Sequence, residues 1–227
     1  MTESRIVDLT HQLRSGISIY PGDAAFTCRP HLTIQEHQCA VTSLTLGSHT
    51  GTHIDAPSHF ILGGKSIDQI PLSSLIGDAL IVHVDQKGNR GRISWDDIKM
   101  AVEENLGVRK ILLIRTGWDK HWGTETYFEH PYLTKDAAER IVASGVRVLG
   151  VDTLSPDETP YNGVGGDLGF GVHEVLLGAE VLIVENLTNL QELSSLGEFV
   201  VNLVPLNIAG CDGSPIRAFA QQKRQGS

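Results

Sequence analysis

The sequence predicts a single mixed α+β domain, because short apolar runs outnumber helical segments and do not alternate regularly with them. The 227 residues suffice to bury one sizeable core. Hydrophobic residues make up 41% and charged residues 20%, as in an ordinary folded protein, which argues against disorder. We expect a domain over residues 1–220, followed by a polar tail over residues 221–227.

Eight apolar runs rich in β-branched residues predict strands. They cover residues 5–9, 32–35, 41–46, 79–84, 110–114, 146–151, 181–184 and 199–204. Several of these runs are almost continuously apolar, which is typical of strands that are covered on both faces. They therefore predict a sheet with buried central strands.

Three segments carry helix signals. Ser94 opens a Ser-x-x-Asp helix start, and that helix is predicted to end near Gly107. Thr134 precedes a second helix, which is predicted to stop near Gly145. A third, shorter helix is predicted over residues 172–177. Glycine is a common residue just beyond a helix end because it adopts the left-handed conformation readily.

Charge and composition argue against several classes of partner. The net charge is −9 and no extended basic patch is visible, which disfavours nucleic acid. No apolar stretch approaches the ~20 residues that span a bilayer, and the N-terminus lacks a secretory pattern. The three cysteines are odd in number and lack zinc-ribbon spacing, so reduced thiols are expected. We expect a cytoplasmic protein with a small-molecule substrate and no nucleic-acid or membrane partner.

Three histidines and an aspartate lie within residues 49–59, just after a predicted strand. His49, His53 and Asp55 occupy odd positions, so an extended chain would point them to one face, and a bend at Gly51 could close them around one ion. Two imidazoles and a carboxylate suit zinc, manganese or iron(II), and three ligands leave positions open for water and substrate. The alternative, a surface loop that happens to be rich in histidine, does not explain so dense a cluster.

Four further residues are candidates for the same site. His59 suits a general acid or base, because an imidazole titrates near neutral pH. His173 lies in the third predicted helix, and Glu185 directly follows an apolar strand, where α/β proteins often place active-site groups. Local sequence alone leaves a structural role open for both. Tyr20 begins a Tyr-Pro-Gly-Asp segment, whose simplest interpretation is a turn.

A longer pattern resembles the signature of the cyclase-like metal-dependent hydrolases, a family that includes bacterial-type kynurenine formamidases and isatin hydrolases. The pattern is His49-x-Gly51-Thr52-His53-x-Asp55-x-Pro57-x-His59-Phe60. Three other segments are similar to the family, namely Tyr20-Pro21-Gly22-Asp23, residues 112–118 and residues 150–155. The spacing of His173 and Glu185 is similar to that of the family's second metal-binding pair.

The resemblance implies a swivelling β/β/α fold, a single domain with a barrel-like sheet flanked by helices. It also implies a homodimer or a larger oligomer, such as a tetramer. His49, His53 and Asp55 would hold a first divalent ion. Asp55 would be shared with a second ion held by His173 and Glu185, although some members of the family bind only the first. Zinc is the expected metal, and manganese is the alternative.

The resemblance also implies roles for the two remaining residues. His59 would be the catalytic acid/base, and Tyr20 would bind substrate at a position where kynurenine formamidases typically carry tryptophan. The leading prediction is a metal-dependent amidohydrolase that cleaves a carbon–nitrogen bond, other than a peptide bond, in a small amide. A lactonase, or a cyclase or dehydratase acting on a small carbonyl compound, is a second prediction. A non-catalytic metal- or ligand-binding protein is a third, and the presence of His59 disfavours it.

Overall fold

The computed structural model describes residues 4–162 and 169–223, which form one mixed α+β domain. The helices of this part of the chain are α1 (Ile34–His37), α2 (Trp95–Asn105), α3 (Lys135–Ala143) and α4 (Gly171–Gly178). Its strands are β1 (Ile6–Asp8), β2 (Thr27–Leu32), β3 (Val41–Thr45), β4 (His53–Asp55), β5 (Ile76–His83), β6 (Arg92–Ile93), β7 (Ile111–Arg115), β8 (Tyr132–Leu133), β9 (Val148–Val151), β10 (Leu182–Glu185), β11 (Phe199–Asn202), β12 (Gly213–Pro215) and β13 (Phe219–Gln222). The predicted fold class is confirmed.

Nine strands form one curled sheet in the order β1-β13-β11-β5-β7-β9-β10-β4-β12. The central strands β5, β7, β9 and β10 are parallel, and the strands on either side of them pair antiparallel. Strand β4 pairs with β10 in a register that sets His53 opposite Glu185 and Asp55 opposite Ile183. This register brings together two segments that are more than a hundred residues apart in sequence.

Hydrophobic clusters cover both faces of the central sheet. In β7, Leu113 belongs to one cluster and Leu112 to the other, because successive side chains of a strand point to opposite faces. Both leucines are fully buried, which stabilises the fold by roughly 1.5–3 kcal/mol each. Helices α2, α3 and α4 pack on the face that contains Leu112. The continuously apolar runs are therefore strands covered on both sides, as their sequences predict.

The three predicted helices are present. Helix α2 begins after Ser94, whose backbone N–H donates to Asp97 Oδ2 at 2.8 Å. Helix α3 begins after Thr134, whose hydroxyl accepts a bond from the backbone N–H of Ala137. Gly145 follows α3 with a φ of +82°, in the left-handed region that ends many helices. Helix α4 extends one residue beyond the predicted span at each end.

Two boundary predictions are corrected. The strand predicted over residues 32–35 is wrong, because β2 ends at Leu32 and α1 begins at Ile34. Ile34 is 64% exposed, so the apolar run that suggested a strand does not face the core. Gln221 and Gln222, which are predicted to lie in a polar tail over residues 221–227, belong to β13, where Gln221 pairs with Ile6 of β1. Residues 224–227 lie outside the described part of the chain.

Strands β2 and β3 form a separate two-stranded ribbon on the surface. All residues of β3 are exposed, as are all but one of β2. Val41 and Leu44 expose 43% and 56% of their surfaces. Among residues 4–162 and 169–223, no helix has both the length and the apolar character that crossing a bilayer requires.

Candidate active site

Asp55 lies at the centre of a buried cluster of histidines and carboxylates. It is the last residue of β4, where all three side chains are buried. Its Oδ1 lies 2.7 Å from His49 Nδ1 and 3.2 Å from His53 Nε2, and its Oδ2 lies 3.7 Å from His173 Nε2. Burial raises the pKa of Asp55, but His53 and the other two imidazoles outweigh burial and hold that pKa well below its ordinary value. The side chain is therefore a buried carboxylate that contacts three imidazoles.

Glu185 reaches the same cluster from the end of β10. Its Oε2 lies 3.3 Å from His53 Nε2, and its Oε1 lies 3.3 Å from His173 Nε2. Although burial lowers the pKa of His53, the carboxylates of Asp55 and Glu185 raise it to about 10. A cation that binds at Nε2 must therefore displace a proton from this imidazole, so metal binding is expected to release protons.

A bend at Gly51 positions His49 beside Asp55. Gly51 has a φ of +67°, and a Cβ at this residue would push the methyl group of Leu13 aside. The backbone conformation favours glycine, because other residues rarely adopt positive φ. The sequence pattern predicted this glycine bend, and the structure contains it.

The donor atoms at the centre of the cluster fit a metal ion. His53 Nε2, Asp55 Oδ2 and Glu185 Oε1 are buried and have no hydrogen-bond partner among the described residues. Each of these atoms lies 3.2–3.7 Å from a charged neighbour without the geometry of a hydrogen bond, and a bound cation would coordinate it instead. The ligand atoms of His53, Asp55 and Glu185 lie within 4.8 Å of one another, and so do those of His49, Asp55 and His59. Asp55 is common to both sets, so this donor set suits one ion or two.

The grouping of the ligands differs from the one that the sequence suggests. The resemblance pairs His49 with His53, whereas the compact set around His53 contains Glu185. His173 approaches both Asp55 and Glu185 through Nε2. The register of β4 with β10 explains the difference, since it sets His53 directly opposite Glu185. All five predicted ligands nevertheless surround the same buried space.

His59 ends a short 3-10 helix over Pro57–His59 and lies at the edge of the cluster. Its ring centroid is 3.9 Å from that of His49, and its Nδ1 is 3.5 Å from Asp212 Oδ2. Its side chain is 28% exposed, more than the other histidines of the cluster. Burial lowers the pKa of His59. An imidazole that is partly open to the cavity and neutral near pH 7 can accept a proton from water or donate one to a leaving group.

Two carboxylates outside the predicted site hold histidines of the cluster. Asp212 Oδ2 lies 3.1 Å from His49 Nε2, and Asp157 Oδ2 lies 2.7 Å from His173 Nδ1. Burial opposes ionisation of Asp212, but its bond to His49 lowers the pKa to about 2. Neither aspartate belongs to the histidine-rich segment, so only the folded structure shows these contacts.

A cavity of ≈ 340 Å³ opens onto the cluster. Its wall includes the rings of Tyr20, Phe60 and Phe170, with Phe170 6.3 Å from Tyr20 and 5.2 Å from Phe60 between centroids. Asp23 also lines it, and none of the described residues along the wall is Lys or Arg. Burial, followed by the nearby carboxylates, raises the pKa of Tyr20 to about 12, so the phenol stays protonated. The cavity can therefore accept a small ring-containing molecule.

The curled sheet positions a buried histidine–carboxylate cluster, whose donor atoms can hold a divalent metal ion, beside a small-molecule cavity. The sequence identifies the family: residues 7–158 match the model of the Cyclase family, described as "Putative cyclase". This match covers more than half of the chain, and the protein belongs to that family.

Relatives match nearly the whole chain. A kynurenine formamidase of Bacillus cereus is 31% identical over 220 residues, which cover 96% of this chain and 98% of that protein. A kynurenine formamidase of Geobacillus thermodenitrificans is 32% identical over 215 residues, with coverage of 93% and 95%.

Solved structures share the fold. Isatin hydrolase A from Labrenzia aggregata, bound to benzyl benzoate, superposes with a TM-score of 0.82 at 26% identity and covers 96% of this chain and 93% of that chain. A potential metal-dependent hydrolase with cyclase activity superposes with a TM-score of 0.75 at 25% identity, with coverage of 98% and 100%.

Proposed function

We propose that this protein is a metal-dependent hydrolase that cleaves the carbon–nitrogen bond of a small amide or lactam. The observation that carries the proposal is the set of three buried ligand atoms on His53, Asp55 and Glu185 that make no hydrogen bond to the described residues and lie beside an aromatic-lined cavity. The relatives named as kynurenine formamidases and isatin hydrolases support this substrate class.

The five proposed ligands are those that the sequence predicts. His49, His53 and Asp55 would hold a first ion, and His173 and Glu185 would hold a second. Because the structure groups His53 with Asp55 and Glu185, Glu185 would also serve the ion at His53. Zinc is the first choice and manganese the second, because histidine with carboxylate suits both. When bound, such an ion supplies Lewis acidity that lowers the pKa of water and polarises the carbonyl of the substrate.

The protein's own side chains supply binding and proton transfer. Tyr20, Phe60 and Phe170 bind the substrate ring and exclude water from it. His59 takes a proton from the attacking water and delivers it to the leaving nitrogen. Asp212 contacts both His49 and His59, so it holds the proton-carrying imidazole next to the metal ligands. A neutral leaving amine results, together with a carboxylic acid product.

The experiment combines metal analysis with turnover. Wild-type protein and His53→Ala are analysed for zinc and manganese and assayed with isatin and with the formamide of kynurenine. His130→Gln is the matched control, because His130 is buried but bonds to Pro131 and Thr159 rather than to the cluster. We expect metal and turnover in the wild type and the control, and neither in His53→Ala. Wild-type turnover by His53→Ala would refute the proposed site.

A second function, ring closure or dehydration without net hydrolysis, is suggested by the family description and by the relative named for cyclase activity. The same site would serve it, since polarising a carbonyl promotes both reactions. Turnover in water labelled with oxygen-18 separates the two functions. Label in the carboxylate of the product indicates hydrolysis, and unlabelled product indicates ring closure or dehydration.

We also propose that the protein forms a homodimer or a larger homo-oligomer through the exposed β2–β3 ribbon. A two-stranded ribbon alone is marginally stable in water, and this one exposes Val41 and Leu44. A second copy of the chain would cover these side chains. Light scattering of wild-type protein and Leu44→Glu tests this, and a monomeric wild type would contradict it.

The cytoplasm remains the proposed location, and cell fractionation tests it.

A further inference from the structure

The carbonyl oxygen of Gly51 accepts two hydrogen bonds at the back of the cluster. One comes from His53 Nδ1 at 2.8 Å and the other from Asn186 Nδ2 at 2.9 Å. On its other side, Asn186 Oδ1 accepts a bond of 2.9 Å from the hydroxyl of Tyr127. The four groups form one continuous buried series of hydrogen bonds from Tyr127 to His53.

The chemistry of the partners determines which atom donates in each of these hydrogen bonds. A carbonyl oxygen only accepts, so Asn186 must present its NH₂ group to Gly51 and its oxygen to Tyr127. For the same reason His53 must carry a proton on Nδ1. Nε2 is then the only ring nitrogen whose lone pair can bind a metal, and it is the atom that lies between Asp55 and Glu185.

The backbone around Asn186 is held as firmly as its side chain. Its carbonyl accepts a bond of 2.6 Å from Thr52 Oγ1, and its N–H donates to Thr153 O at 3.0 Å. Its φ is +57°, a left-handed conformation that asparagine tolerates better than most residues. Asn186 also follows Glu185 directly in sequence. Asn186 is therefore linked to two of the predicted ligands. It reaches His53 through the shared carbonyl of Gly51, and it is joined to Glu185 by the peptide bond.

Tyr127 anchors the far end of the chain in a rigid environment. It is fully buried and packs in an aromatic cluster, with the ring of Trp122 edge-on at 5.2 Å. Burial raises the pKa of Tyr127 well above its ordinary value, so the hydroxyl remains a donor. Because the ring is packed in place, the hydroxyl of Tyr127 stays beside Asn186 Oδ1 and keeps the amide in one orientation.

We propose that Asn186, held by Tyr127, is a positioning residue that fixes the ring and the tautomer of His53 for metal binding. This inference rests on the metal-binding part of the proposed function, because it assumes that His53 is a metal ligand. Groups that orient a ligating histidine through its second nitrogen tune metal affinity, and their loss typically costs 10–100-fold.

The test measures zinc affinity of the metal-depleted protein by competition with a chelator. Asn186→Asp is nearly isosteric but sets an oxygen against the Gly51 carbonyl, and we expect zinc to bind roughly 10–100-fold more weakly. Tyr127→Phe removes only the hydroxyl, and we expect a smaller loss, about threefold or more. This second variant keeps the test decisive if Asn186→Asp fails to fold.

The matched control is Thr159→Val, which deletes a buried 2.8 Å bond to His130 outside the cluster. It should lower the melting temperature as Tyr127→Phe does but bind zinc with wild-type affinity. Wild-type zinc affinity in Asn186→Asp and Tyr127→Phe, or an equal loss in Thr159→Val, would overturn the inference. Affinity is measured without substrate, so a wild type that binds zinc but cleaves no amide would refute the proposed function and leave this inference standing.

Discussion

Asp157 Oδ2 lies 2.7 Å from His173 Nδ1, and the two carboxylate oxygens also accept the backbone N–H groups of Val172 and His173. Three hydrogen bonds accepted by this one side chain thus fix the first turn of α4 and the imidazole ring of His173. Burial lowers the pKa of His173, but the bonds to Asp157 and to the other carboxylates raise it well above its ordinary value. Asp157 leaves Nε2 of His173 facing Asp55 and Glu185.

We expect Asp157→Asn to weaken metal binding through His173 by roughly 10–100-fold, because the amide no longer holds the imidazole by a charge-assisted bond. Calorimetric titration of the metal-depleted protein measures both affinity and stoichiometry. Loss of one ion of two in this variant would support a separate site at His173. Asp136→Asn, on the exposed face of α3, is the control and should bind metal as the wild type does.

His59→Ala is expected to lower kcat by about 10²–10⁴-fold, the usual contribution of a general acid or base, while metal content stays unchanged. Metal analysis and steady-state kinetics on one preparation check this. Asp212→Asn should lower kcat less, by roughly 10–100-fold, and should also weaken metal binding, since Asp212 contacts the proposed ligand His49 as well as His59. If His59→Ala lost the metal, the residue would be a ligand, as its place in the set with His49 and Asp55 also permits.

The central sheet was predictable because its strands are continuously apolar. Strands β7, β9 and β10 bury almost every residue, and the pattern of the sequence reports that burial directly. Strands β4 and β12 have three residues each and form through pairing with neighbours rather than through their own composition. Short strands of this kind carry too little signal for any pattern.

The histidine–carboxylate cluster was predictable where its residues are close in sequence. His49, His53, Asp55 and His59 form one local pattern, whereas the partners that hold them come from elsewhere. Asp212 is 163 residues from His49, and Asn186 is 135 residues from Gly51. Strands β10 and β12 flank β4 and bring these side chains together. Such contacts depend on strand order, which a single sequence does not reveal.

Stability should fall in acid because of His130, which is fully buried between Pro131 and Thr159. Burial lowers the pKa of His130 from 6.5 to about 4. Between these values the unfolded chain binds a proton that the folded protein does not, so stability decreases as pH falls through this window. The full effect is on the order of 3 kcal/mol. Urea unfolding at about pH 7 and at about pH 4.5 measures it.

His130→Gln isolates this contribution, because glutamine keeps a hydrogen bond to Thr159 but does not titrate. His11, whose pKa burial also lowers to about 4, acts in the same direction in both proteins. Asp152, whose pKa burial raises to about 6, acts in the opposite direction in both. We therefore expect the variant to lose less stability than the wild type on acidification. Equal losses of stability in the two proteins would show that His130 is already protonated in the folded protein at the lower pH.

Gly213 connects the packing of β12 to the histidine–carboxylate cluster. It pairs with Asp55 across β12 and β4, and a Cβ at this position would lie 2.9 Å from His49 Cε1 and 2.9 Å from Ile54 O. Gly213→Ala must therefore push the ring of His49 away or strain the pairing of β4. We expect a stability loss of about 1–3 kcal/mol and a drop in metal affinity of at least roughly tenfold.

Thermal unfolding and chelator competition on the same samples measure both effects of Gly213→Ala. Gly88→Ala is the control, because a Cβ at Gly88 meets nothing within 4 Å. That variant should match the wild type in metal affinity. A Gly213→Ala protein that is less stable but binds metal normally would mean that the backbone of β4 shifts to accommodate the methyl group and the ring of His49 stays in place. Because His49 Nδ1 is only 2.7 Å from Asp55, even a small shift of the ring should instead appear in the affinity.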